Sequence, residues 1–260
     1  MKKMLNIKKI AIGLSAGAIM LAATVVQSFA VTCTPTGFFR DSINMTAAQI
    51  NPAGTVSGDV DATGCNIGIY YDTSSGDVDG ADIHGANYFG VVVNGDVNNP
   101  SVDVKNSEIH DIGETPLNGS QHGLAIYYRA LSTGTVAGEI SGNEVYTYQK
   151  NGITVNGEGA NVNVENNTVT GEGRVDYIAQ NGIQFGYGAV GNISGNTVTG
   201  HYWTGCSHQD AAKTGCTPWV SAGLLLYAVE AKNVKTSNNM LRNNQFNYLL
   251  LPSQSLGILP

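Results

Sequence analysis

The sequence predicts an all-β solenoid of stacked parallel strands, on three observations. One phrase is written twice, as NGITVNGEGANVNVENNTVTGEG from Asn151 and as NGIQFGYGAVGNISGNTVTGHY from Asn181. Each copy runs Asn-Gly, an aliphatic alternation, a Gly/Asn-rich turn, a second alternation and then Asn-Thr-Val-Thr-Gly. A repeat of about 20 to 30 residues built from short period-two strands is the pattern of a solenoid. Weaker copies extend it: GVVV from Gly90, GLAI from Gly123 and GLLL from Gly223 align with GITV and GIQF, while NSEI, GNEV, NNTV, GNTV and NNML end at Ile109, Val145, Val169, Val198 and Leu241. Composition agrees, because 33 Gly and 13% charged residues suit a β-solenoid better than a helical protein.

Residues 1–30 read as a secretory signal. Lys2, Lys3, Lys8 and Lys9 precede an apolar run from Ile10 to Val26, and Ser28-Phe29-Ala30 is a small-x-small cleavage site, so the mature chain is expected to begin at Val31. A membrane anchor is the alternative, since the run approaches spanning length. Residues 31–53 are the expected N-terminal cap: Phe39, Ile43, Ala47 and Ile50 recur at helical spacing, and the open edge of a solenoid has to be covered. Residues 54–260 then hold roughly seven coils, with GIYY after Gly68 as a degenerate early copy. The apolar, Pro-punctuated FNYLLLPSQSLGILP is expected to close the last one.

Within each strand alternate side chains share a face. The inward set is therefore Val91/Val93, Leu124/Ile126, Ile153/Val155, Ile183/Phe185 and Leu224/Leu226, opposed by Ile109, Val145, Val169, Val198 and Leu241. Thr154, between two inward residues, is expected to face outward and tolerate substitution. Stacking like residues about 4.8 Å apart also aligns Ser107, Asn143, Asn167, Asn196 and Asn239. These would form an internal amide ladder at a bend, where Asn tolerates a left-handed backbone; surface Asn in turns is the alternative.

The units GITV…VNVENNTVTG, GIQF…NISGNTVTG and QHGLAIYY…ISGNEV resemble the right-handed β-helix repeat family, whose architecture is shared with the pectate-lyase-like superfamily. The resemblance spans residues 54 to 250 and implies a single-stranded right-handed parallel β-helix with a short N-terminal cap. It implies little about activity, because many functions use this scaffold.

Four cysteines in an exported chain read as disulfides. The local pairings are Cys33 with Cys65, which pins the leader to the first coil, and Cys206 with Cys216, which closes an insertion. No Cys-x-x-Cys is present, and His201 and His208 lack a zinc spacing. Four of the thirteen Lys and Arg lie in residues 1–30, leaving nine against twenty acids and a net charge of −11 on the mature chain. Such a chain is expected to avoid nucleic acid and acidic membranes. Asp59, Asp61, Asp77, Asp79 and Asp82 offer oxygen ligands to calcium, but without the fixed spacing of calcium-binding β-rolls, and Asp and Gly are also ordinary turn residues. No cofactor or metal is otherwise expected.

Insertions in a solenoid gather on one flank and make its working face. Here they carry Tyr146, Tyr148, Arg174, Tyr177, Tyr202 and Trp203, the rings and polar groups that sugar binding needs; anchoring of the loops is the alternative. His84 follows Ile83 as His110 follows Ile109, so both imidazoles point outward in neighbouring coils beside Asp111. That cluster suits general acid–base work, although single histidines of this kind are commonly structural. The expected protein is a secreted, monomeric β-helix that binds extracellular polysaccharide, neutral or weakly charged, or serves as a surface scaffold. A polysaccharide lyase or glycoside hydrolase is the alternative. A hydrolase would draw its carboxylates from Glu114, Glu144, Glu172 and Asp176, and a lyase its cation from Arg129, Lys150 or Arg174. The paired Asp motifs of polygalacturonases and the Arg-rich and Trp-Asp-His motifs of pectate lyases are missing.

Overall fold

A computed structural model describes residues 31–205 and 220–251. The expected signal, the Cys206–Cys216 pairing, His208 and the end of the expected C-terminal closure lie outside the described residues. β1 (Thr34–Arg40) and β2 (Ile43–Ile50) make an antiparallel hairpin, β3 (Thr55–Asp61) opens a second sheet, and β4 (Ile67–Tyr71) returns to lie parallel to β2. The chain then alternates between the two sheets. β5 (Gly76–His84) goes to the second and β6 (Phe89–Asn94) to the first. β7 (Val102–Lys105) and β8 (Glu108–His110) precede β9 (Leu124–Arg129); β10 (Val136–Ser141) and β11 (Glu144–Val145) precede β12 (Asn151–Asn156). β13 (Ala160–Glu165) and β14 (Thr168–Val175) precede β15 (Asn181–Gly186); β16 (Val190–Ser194) and β17 (Thr197–Trp203) come before β18 (Ala222–Tyr227). β19 (Val234–Ser237), β20 (Met240–Arg242) and β21 (Phe246–Leu251) complete the last pass. The result is all-β, with a nine-stranded and a twelve-stranded sheet that are parallel except at the β1–β2 hairpin. Among the described residues no helix is long and apolar enough to cross a membrane.

The core lies between the sheets. Ile69, Val91, Ile126, Ile153, Ile183 and Leu224 form one inward column, and Tyr71, Val93, Tyr128, Val155, Phe185 and Leu226 the next. Opposite them stand Ile83, Ile109, Val145, Val169 and Val198, all fully buried. In β4, β6, β12 and β15 the glycine near the start of the strand (Gly68, Gly90, Gly152 and Gly182) abuts this opposing column. A Cβ on Gly152 or Gly182 would come within 2.6 Å of Val169 Cγ1 or 2.3 Å of Val198 Cγ1, so a side chain there would wedge the sheets apart. This contact corrects one expectation. Ala125, not Gly123, stands level with Gly90 and Gly152, so the inward pair of β9 is Ile126/Tyr128 and Leu124 turns to the outer face.

Within each pass the second-sheet strand bends at one left-handed residue, in turn Gly80, Asn106, Gly142, Asn166, Gly195 and Asn238. Only Gly and Asn take that conformation cheaply. From Asn106 onward the residue after the bend is Ser107, Asn143, Asn167, Asn196 and then Asn239, which hydrogen-bond in series. Ser107 N–H donates to Asn143 Oδ1 at 3.0 Å, Asn143 N–H to Asn167 Oδ1 at 3.0 Å, Asn167 N–H to Asn196 Oδ1 at 2.9 Å and Asn196 N–H to Asn239 Oδ1 at 3.0 Å. Each Nδ2 donates to a main-chain carbonyl on the neighbouring pass, from Val104 O to Ile193 O. The amides of this ladder are thereby satisfied where a bend would otherwise leave backbone groups unpaired.

The N-terminal segment is a β-hairpin, not the helix that its spacing allows. Phe38, Met45 and Ala47 are buried while Phe39 and Ile43 are 63% and 44% exposed. The Phe38 ring lies 6.0 Å from that of Tyr70 and 6.1 Å from that of Phe89, on the outer face of the first sheet, with Arg129 4.8 Å above it. The Cys33–Cys65 disulfide ties the start of the hairpin to the chain before β4. Because the outer face is covered, Thr154 is fully buried, contrary to its expected tolerance.

Candidate functional site

Parallel register builds an outward array on the second sheet. Asp59, Asp82, Glu108 and Glu144 stand in one column, and Asp61, His84 and His110 in the column two residues on. Tyr146 follows β11 and continues that second column as a ring stack. The His84 and His110 rings lie 5.3 Å apart, and those of His110 and Tyr146 lie 5.0 Å apart with their planes nearly parallel. Each ring reaches the acid of the pass before it: His84 Nε2 is 3.0 Å from Asp59, His110 Nε2 is 3.0 Å from Asp82, and the Tyr146 hydroxyl donates to Glu108. Asp111 takes the other His110 nitrogen at 2.7 Å. Desolvation pulls the His110 pKa down, but the bonds to Asp111 and Asp82 outweigh it and hold the pKa above its ordinary value. The Tyr146 phenol is pushed up to about 12, chiefly by its bond to Glu108. The structure thus brings His84, His110 and Asp111 together. With both His110 nitrogens held by carboxylates, neither is free to take a proton from a substrate. Among the described residues no group of three or more His, Cys, Asp or Glu is arranged to hold a metal ion.

A cleft of about 230 Å³ opens beside β12 and β15, lined by Gln121, Lys150, Asp176, Tyr177, Trp203 and the backbone turn at Ile178 and Ala179. Val175 pairs with Trp203 across β14 and β17, which sets the indole in the wall, while Tyr177 is 38% exposed. Lys150 Nζ donates to Ala179 O at 2.8 Å, and burial pushes its pKa down to about 8. The loops on either side are clamped by two interior glutamines. Gln149 accepts from Glu114 N–H and Asn118 N–H at 3.1 and 3.2 Å, and Gln180 accepts from Glu172 N–H at 2.9 Å and donates to Tyr148 O. Sequence reasoning passed over both, although a Gln precedes each of the two Asn-Gly starts. Glu172, exposed on β14, has its pKa raised by partial desolvation and then by the charge of Asp111.

The six expected ligand residues are divided among four places. Tyr177 and Trp203 line the cleft; Arg174 lies 3.9 Å over the Tyr202 ring, and the two pair with each other on adjacent strands. Tyr146 belongs to the imidazole stack and Tyr148 is fully buried, so no continuous row of rings forms. Of the other candidates, Arg129 is held by Asp96 at 2.6 Å, and Glu114 by His122 at 2.7 Å, whose ring stacks on Tyr88.

Tyr148 donates its hydroxyl to His201 Nε2, and His201 Nδ1–H donates to Asn244 Oδ1 at 2.9 Å. Asn244 Oδ1 also accepts His201 N–H at 3.1 Å, which orients that amide and specifies the tautomer. Burial holds the His201 pKa down at about 4. In the unfolded chain the imidazole protonates near 6.5, so stability is full above that pH and falls by about 3 kcal/mol as pH drops to about 4. Urea titrations at pH 7 and pH 4.5 should show this loss, and His201→Gln, though less stable at pH 7, should show a smaller one. An identical pH dependence in both proteins would assign the acid sensitivity to other groups.

Compared with family models, with curated proteins and with solved structures, the chain matches none of them.

Proposed function

We propose that the chain is a secreted right-handed parallel β-helix that binds an extracellular polysaccharide in the cleft of Tyr177 and Trp203. The observation that supports it most is the composition of that cleft: the exposed ring of Tyr177 and the largely buried indole of Trp203 line it with Asp176, Gln121 and Lys150. Rings cover the apolar faces of sugars and the polar groups bond their hydroxyls. Clamped loops keep the geometry in place without the sugar, which lowers the ordering cost of binding. The right-handed helix is supported by the repeat resemblance together with two long parallel sheets, and secretion by the signal-like start and the Cys33–Cys65 disulfide. The net charge of −11 favours a neutral or weakly charged polymer unless a cation bridges an acidic one.

Affinity electrophoresis of the purified protein in a panel of polysaccharide gels tests the site. Tyr177→Ala removes about 1 kcal/mol of ring contact, so retention should fall about fivefold while the melting temperature stays within about 2 °C. Unchanged migration of this variant on every polysaccharide that retains the wild type would place binding elsewhere.

A second reading, a glycan-cleaving enzyme, is supported by Glu172. A carboxyl whose pKa is raised beside the charged Asp111 is suited to donate a proton. Release of reducing ends or unsaturated uronates by wild type, lost in Glu172→Gln, would favour that reading over binding alone.

A further inference from the structure

Under the hairpin tip, on the outer face of the first sheet, lies a second cavity of about 40 Å³. Arg40, Gln121, Lys150, Asn156, Gln184 and Tyr187 are among its walls, Leu124 and Tyr127 close its apolar side, and among the described residues none that lines it is Asp or Glu. In a chain with a mature net charge of −11, two cations face one partly open space with no carboxylate among its described walls. The nearest acid to Arg40 is Asp41, at 3.8 Å and 62% exposed on the solvent side. Lys150 has a main-chain carbonyl as its only hydrogen-bond partner among the described residues.

The amides of this wall are polarised in one direction. Ala222 N–H, which can only donate, bonds Asn181 Oδ1 at 3.0 Å and so orients that side chain. Asn181 Nδ2 then donates to Asn151 Oδ1 at 3.2 Å, Asn151 Nδ2 to Gln184 Oε1 at 3.1 Å, and Gln184 Nε2 to Asn156 Oδ1 at 3.3 Å. Every amide oxygen in the series is occupied. Asn156 Nδ2, at the end, donates to nothing among the described residues although Asn156 is only 3% exposed. The series therefore delivers an unmet N–H to a cavity that already holds a guanidinium and an ammonium. The Asn156 amide nitrogen retains accessible surface, so an acceptor that enters the cavity can meet it.

We infer that this cavity is a binding site for one compact oxyanion of the sulfate or phosphate class, held by Arg40, Lys150, Asn156 and Gln184. The volume is room for about three waters or one such ion, and too small for a sugar ring. Burial strengthens the attraction between the ion and both cations and shields it from the acidic surface. Lys150 and Gln121 line both this cavity and the aromatic cleft, so the same chemistry has two sources: the free inorganic ion, or a sulfate ester on a bound glycan. The site itself does not depend on the glycan reading.

Titration calorimetry of the purified protein with sodium sulfate and with sodium phosphate, against sodium chloride at matched ionic strength, tests the assignment. Wild type should bind one sulfate or phosphate saturably at millimolar or lower concentration. Lys150→Met and Asn156→Asp should each weaken binding at least about tenfold, the first by removing a charge and the second by replacing a donor with a carboxylate. Lys150→Met removes no hydrogen bond from the amide series, so it remains informative if Asn156→Asp fails to fold. Tyr177→Ala should leave the ion heat unchanged, which separates this site from the aromatic cleft. Gels of one polysaccharide in sulfated and desulfated form then distinguish the sources: retention of the sulfated form alone, reversed by inorganic sulfate, points to the ester, and equal retention points to the free ion. Absence of saturable sulfate or phosphate binding by wild type, or wild-type affinity in Lys150→Met, overturns the inference.

Discussion

Phe185→Asp should abolish folding. Phe185 is fully buried in the inward column between Val155 and Leu226, within the apolar core cluster. Loss of the ring alone costs about 3 to 5 kcal/mol. An unpaired carboxylate in the same dry space adds several more or takes up a proton at similar expense. Together these approach or exceed the roughly 5 to 15 kcal/mol that hold a domain folded. Phe185→Leu, which keeps the site apolar, should cost only about 1 to 2 kcal/mol. Soluble yield and the far-ultraviolet β signal distinguish the two variants. A cooperative melt of Phe185→Asp within a few degrees of wild type would show that this column is not the core.

Asn167→Ala should cost about 3 to 5 kcal/mol, far more than an amide at the surface. Asn167 Oδ1 accepts from Asn143 N–H at 3.0 Å and from Asn143 Nδ2 at 2.9 Å, and its Nδ2 donates to Ile140 O and Asn196 Oδ1, both at 2.9 Å. Truncation strands donors and acceptors on both neighbouring passes, each worth about 1 to 3 kcal/mol when buried. Asn163→Ala is the control. Asn163 also bonds an amide across passes, from Asn192 at 2.8 Å, but it is only half-buried, so water replaces the partner and the cost should stay near 0.5 kcal/mol. Urea midpoints of the two variants give the comparison. Equal costs would mean that the ladder contributes no more than surface pairing.

The sequence by itself determined the strands, the inward columns and the amide ladder, because each depends on local periodicity and on like residues meeting like in the next pass. Ile153/Val155 and Ile183/Phe185 stand in the register that their repeated phrase implies, and Asn143, Asn167, Asn196 and Asn239 meet because each directly follows a bend residue. Where the repeat weakens, the tertiary structure decided. Gly123 resembles the strand-opening glycine, yet the position that must be small is the one pressed between the sheets, and in β9 this is Ala125. Tyr148 sits among the polar residues of an insertion in the sequence, but His201 and Asn244 from later passes draw it inside by satisfying its hydroxyl and one another. Thr154 alternates with core residues and so reads as exposed. Exposure, however, is set by what lies over a face, and Thr154 shares the lining of one cavity with Arg40, which comes from far earlier in the chain. The aromatic cleft and the cationic cavity arise in the same way. Their walls join Arg40, Gln121, Lys150, Tyr177, Gln184 and Trp203, which share no pattern in the sequence, since only the order in which strands stack puts their side chains within reach of one another.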